Sequence, residues 1–111
     1  MLTVDKDNTI RLTRGDTARL TIGRAMNVIT GKDYIFSAED KLTLTVKKTV
    51  MDTSPAVQIH VPGGEVFHIK PEDTKALAFG KYVYDVQLTT AEGDVYTVIP
   101  PATFEILKEV T

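Results

Sequence analysis

Lys81-Tyr82-Val83-Tyr84-Asp85-Val86-Gln87-Leu88-Thr89 alternates with a period of two, with Tyr82, Tyr84, Val86 and Leu88 sharing one side. Successive side chains of a strand point to opposite faces, so the block predicts a long strand with one face in a core and one in water. Downstream, Ala91-Glu92-Gly93-Asp94 supplies turn residues and residues 95–99 return as a second strand. Pro100-Pro101 interrupts that strand, because proline cannot donate to a ladder, and residues 104–107 resume it after a bulge or a change of sheet. The same alternation recurs upstream. Ile10 and Leu12 alternate with polar residues over 8–13, Ala18, Leu20 and Ile22 over 17–22, and Leu42, Leu44 and Val46 over 42–47.

Residues 57–61 and 66–70 flank Pro62-Gly63-Gly64-Glu65, which reads as a hairpin turn. A three-residue loop pairs Val61 with Phe67 and Ile59 with Ile69, keeps the apolar residues together, and sets His60 opposite His68 on the outer face. Residues 71–77 suit one helical turn. Residues 23–40 are longer than a hairpin loop, with Tyr34-Ile35-Phe36 read as a short edge strand inside them. Seven or eight short strands with regular turn signals define an all-β sandwich or small barrel.

Asp73-Thr74-Lys75-Ala76-Leu77-Ala78-Phe79-Gly80-Lys81-Tyr82-Val83-Tyr84 resembles the turn and strand that immunoglobulin domains build around a tyrosine corner. The resemblance implies an immunoglobulin-like β-sandwich of seven to eight antiparallel strands, formed by residues 1–111 as a single domain. It makes Tyr82, with Asp73 in the preceding turn, the structural tyrosine corner, its hydroxyl bonded to backbone a few residues upstream. Tyr84 stands where an antibody domain has a disulfide cysteine, and the packing tryptophan has no counterpart.

Composition narrows the function classes. A chain of 111 residues buries roughly 65% of its unfolded surface, enough for one core without staples. There is no cysteine, so disulfides and thiolate metal sites are out of reach. A net charge of -2 disfavours a general nucleic-acid binder. No apolar run approaches the ~18 residues of a membrane span, and the amino terminus lacks the pattern of a signal peptide. The expectation is a soluble short gene product or cut domain without a membrane address.

The residue types that carry chemistry are sparse. Ser37 and Ser54 are the only serines and neither sits in a nucleophile elbow, so no catalytic residue is expected. His60 and His68 form a possible cross-strand histidine pair, but zinc needs three or four ligands and the hairpin adds only Glu65; no metal or cofactor is expected. Carboxylates gather at turns as Asp5 with Asp7, Glu39 with Asp40, Glu72 with Asp73 and Glu92 with Asp94, without the spacing of a calcium motif, and read as solvated surface. Arg14-Gly15-Asp16 spells an integrin tripeptide, but Gly-Asp between strands is ordinary turn chemistry. A carbohydrate-binding or adhesion module is the alternative function, with Tyr34, Phe36 and Tyr96 as its aromatic candidates.

Three stretches together resemble a family. They are Ile10-Arg11-Leu12-Thr13-Arg14-Gly15-Asp16-Thr17, the block from Asp73-Thr74 through Gly80-Lys81-Tyr82-Val83-Tyr84-Asp85-Val86-Gln87-Leu88, and Phe104-Glu105-Ile106 running on to Val110-Thr111. They look like the small immunoglobulin-like domains of phage and prophage structural proteins of Gram-positive bacteria, including the amino-terminal domain of upper baseplate proteins. The resemblance implies a non-catalytic structural module of a tail or baseplate particle, a virion component assembled in the bacterial cytoplasm. Its implied partners are other phage structural proteins or a second copy of itself, with no nucleic acid and no membrane.

Overall fold

A computed structural model of the chain describes residues 2–22 and 34–110. In order, the described elements are β1 (Leu2–Val4), β2 (Ile10–Thr13), β3 (Ala18–Leu20), β4 (Lys41–Lys47), β5 (Val57–Pro62), β6 (Phe67–Ile69), α1 (Pro71–Lys75), β7 (Gly80–Thr89) and β8 (Val95–Leu107). The fold is all-β. Six strands form one curled sheet in the order β1-β2-β8-β7-β4-β5, and β3 and β6 pair separately.

The alternating blocks become strands because each can turn one side into a shared core. Leu42, Leu44 and Val46 of β4 stand opposite Leu88, Val86 and Tyr84 of β7, and all six are buried. Tyr82 pairs with Phe104 across β7 and β8. The Phe104 ring meets Tyr84 edge-on with centroids 6.0 Å apart, the geometry that aromatic quadrupoles favour. From the two-stranded sheet, Ala18, Phe67 and Ile69 close the same cluster. Each large side chain buried this way contributes about 1.5–3 kcal/mol before the cost of ordering the chain.

Two pairings differ from the reading of the sequence. β5 and β6 do not form a hairpin: β5 pairs with β4 and β6 with β3. Pro62-Gly63-Gly64-Glu65 is therefore a crossing between the two sheets. Alternation shows that Ile59 and Val61 share a side with Phe67 and Ile69, but such residues can meet within one sheet or across the core between two. Here β6 supplies the opposite wall, which β4 cannot reach. The second difference is that the strands are not all antiparallel. β2 runs parallel to β8, with Ile10 beside Phe104 and Leu12 beside Ile106. All four are buried, and since β2 leads into the other sheet, no tight hairpin dictates its direction.

Pro100 and Pro101 do not split the last strand; β8 runs through them on a bulge. Tyr84 faces Ala102 and Val86 faces Ile99, so the single residue Asp85 lies opposite both prolines. β1 pairs with β2 at the sheet's other margin and was absent from the sequence expectation. Tyr34-Ile35-Phe36 is irregular rather than a strand, and the expectation for residues 23–33 lies outside the described residues.

Candidate functional site

The turn before β7 is built around hydroxyls. The Tyr82 hydroxyl donates to the Ala78 carbonyl at 3.0 Å, the bond expected of it. Asp73 accepts from the Lys70 amide at 2.8 Å and fixes the start of α1. Thr74 is wholly buried and accepts from the Gly15 amide at 2.8 Å. Gly15 has φ 82, a conformation glycine adopts without strain.

Arg14 holds the same region together. Its guanidinium donates to both carboxylate oxygens of Glu109 and to the Leu77 carbonyl, and lies 4.0 Å from the centre of the Phe79 ring. The ion pair holds Glu109 below and Arg14 above their ordinary pKa values, chiefly through the hydrogen bond they share. Arg14-Gly15-Asp16 is thereby occupied in joining the first turn, α1 and the end of the chain.

The two histidines do not meet across a hairpin. His60 stands opposite Thr43, with Nδ1 2.9 Å from the Thr43 hydroxyl, and His68 stands opposite Arg19 in the other sheet. The expected histidine pair fails for the same reason as the hairpin. Among the described residues no three His, Asp or Glu side chains gather as metal ligands, and no helix is long and apolar enough to cross a membrane.

The aromatic candidates do not line up as a platform. Tyr34 and Phe36 contact each other edge-on at 5.6 Å and pack against the core, and Tyr34 donates to the buried Asp40 at 2.9 Å. That bond, then burial, raises the Tyr34 pKa. Tyr96 alone of the three is largely exposed.

A concavity lies on the outer face of the six-stranded sheet. It encloses about 460 Å³. Thr45 and Lys47 from β4, Gln58 from β5, and Val83, Asp85 and Gln87 from β7 form its floor. Val50, Thr53 and Pro55 from the loop after β4 wall one side, and Pro101 from the β8 bulge walls another. A turn fixes that loop, with the Thr49 amide donating to Asp52 at 3.2 Å and the Asp52 amide donating to the Thr49 carbonyl at 3.2 Å. Gln58 donates to the Thr45 hydroxyl at 3.1 Å. Asp85 is held above the ordinary carboxylate pKa by burial, partly offset by Lys47.

Sequence reasoning missed this cleft because its floor is the polar phase of ordinary strands, which alternation assigns to water. One signal was present: an aspartate in mid-strand, where aspartate is depleted, within reach of a double proline.

No protein-family model matches the chain, and no curated protein or solved structure matches it. The fold and the site therefore define its class as far as an all-β domain with a curled, mixed six-stranded sheet and a polar cleft on that sheet's outer face.

Proposed function

We propose that the chain is an immunoglobulin-like sandwich serving as a non-catalytic structural module of a phage or prophage tail, acting through protein–protein contacts. Strand order supports the fold. In variable-type immunoglobulin sheets, strands G, F, C and C′ lie side by side, and B and E belong to the other sheet. The run β8-β7-β4-β5, with β3-β6 apart, has the same arrangement, and α1 with Tyr82 sits at the corner before the F-like strand.

The observation that carries the assembly role is the open edge of β5. Among the described residues it is the last strand on its side of the sheet and pairs only with β4. The Gly63 amide donates to the Asp40 carbonyl, which sets the ladder's phase so that Gln58 and His60 turn their backbone groups outward. Edge strands are usually guarded by charge, proline or shortness. β5 has six residues, none of them charged, and its proline stands at the far end. A second copy's β5 is the occupant that fits, since pairing two neutral strands sets no like charges opposite each other.

The test is solution mass by light scattering over a concentration series. A discrete dimer that reverts to monomer in His60→Lys supports strand pairing at this edge. A wild-type chain that stays monomeric at every concentration, or a dimer indifferent to His60→Lys, overturns it.

A further inference from the structure

We propose that the cleft on the outer face of the six-stranded sheet binds a neutral sugar unit. Such binding does not depend on β5 edge pairing, and Asp85 is its centre. Among the described residues no hydrogen-bond donor meets its carboxylate, and Lys47 is the cation that acts on it. The bulge explains part of this. Asp85 lies opposite Pro100 and Pro101, two residues with no backbone N–H to offer. A bulge beside a site commonly re-aims a side chain, and here it leaves on the floor of a cleft an acceptor that no described residue meets with a hydrogen bond.

The rest of the lining narrows the ligand. Lys47 and Asp85 are the charged side chains of the cleft, one of each sign. A cationic ligand would meet Lys47, and an anionic one Asp85. Thr45, Thr53, Gln58 and Gln87 are neutral and can both donate and accept. Val50, Val83, Pro55 and Pro101 supply apolar surface beside them. A ligand that is uncharged, dense in hydroxyls and apolar along its C–H face matches all three features, and that description is a carbohydrate. A cleft of about 460 Å³ falls in the range of small-molecule sites. An aspartate accepting from neighbouring sugar hydroxyls would gain the partners the fold withholds from it. Strength would come from those charge-assisted bonds.

The experiment is a titration of the ¹⁵N-labelled full chain, followed by amide shifts. The probes are glucose, galactose, rhamnose and N-acetylglucosamine, each to millimolar concentration, with lysine amide and inorganic phosphate as charged counterparts. At least one sugar should give saturable shifts centred on Thr45, Gln58, Asp85 and Gln87. Asp85→Ala should weaken that binding roughly tenfold or more while leaving the remaining spectrum in place. Silence from all four sugars, shifts centred elsewhere such as Tyr96, or shifts unchanged in Asp85→Ala would overturn the proposal. Binding of lysine amide or phosphate in place of sugars would also overturn it, and lysine amide would reassign the cleft to a basic segment of a protein partner.

Discussion

The hydroxyl of Tyr82 donates to the carbonyl oxygen of Ala78, four residues earlier in the chain and 3.0 Å away. Between them, Gly80 has φ 129, a backbone conformation that side-chain-bearing residues rarely adopt. The bond therefore closes a tight corner from α1 into β7 and gives the part-buried Ala78 carbonyl a partner within the corner. Tyr82→Phe keeps the ring in the core and removes only the donor. It should cost about 1 kcal/mol in a urea denaturation, and an unchanged midpoint would show that the corner holds without the bond.

How much of this was legible follows from what alternation encodes. It places each residue on a face, so the inward sides of β2, β4 and β7 could be read directly. It does not say which strand lies beside which. Val57, Ile59, Phe67 and Ile69 satisfy a hairpin and a two-sheet crossing equally well, and only the need to cover the core from its other side selects the crossing. The same blindness hid the parallel pairing of β2 with β8, because direction leaves no mark on face assignment. The cleft was hidden for a different reason. Thr45, Gln58, Asp85 and Gln87 come from three strands whose adjacency sequence alone does not fix.

Gly63 marks the crossing that replaced the hairpin. Its amide donates to the Asp40 carbonyl at 2.9 Å, and a Cβ placed on it would lie 2.3 Å from the Ser37 carbonyl oxygen. That contact is backbone against side chain, so a loop must move. Gly63→Ala should destabilise by about 1–3 kcal/mol, the usual scale of overpacking. It should also disturb the Tyr34–Asp40 bond and lower the Tyr34 pKa toward its ordinary value, read by ultraviolet titration. A silent Gly63→Ala would mean the 37–40 turn gives way freely.

Asp85 carries a stability consequence opposite to that of a paired carboxylate. Its folded pKa lies above the ordinary 3.8, so the folded chain holds the proton more tightly than the unfolded chain. Stability from this group is highest at low pH and falls as pH rises through 3.8 toward the folded value. Asp85→Asn should accordingly raise the unfolding free energy read by urea denaturation at neutral pH by up to about 0.5 kcal/mol, the scale of a surface substitution. The gain should vanish in acid, where the wild-type carboxyl is already neutral. A loss of stability at neutral pH would mean that the ionised carboxylate is supported by the fold after all.

Arg14 and Glu109 show the ordinary sign, and their geometry separates charge from shape. Glu109 is held below its ordinary 4.5 by the Arg14 hydrogen bond, so its contribution is present above that pH and is lost as pH falls through the folded value. Glu109→Gln should lower the midpoint at neutral pH, and the difference from wild type should close in acid. Arg14→Lys preserves the charge but not the planar fork that meets both Glu109 oxygens, the Leu77 carbonyl and the face of Phe79 at once. If shape matters, Arg14→Lys should fall close to Arg14→Ala in thermal denaturation, and added salt should restore neither. If lysine instead recovers most of the wild-type midpoint, the site works as a point charge, and the contacts to Leu77 and Phe79 are incidental to it.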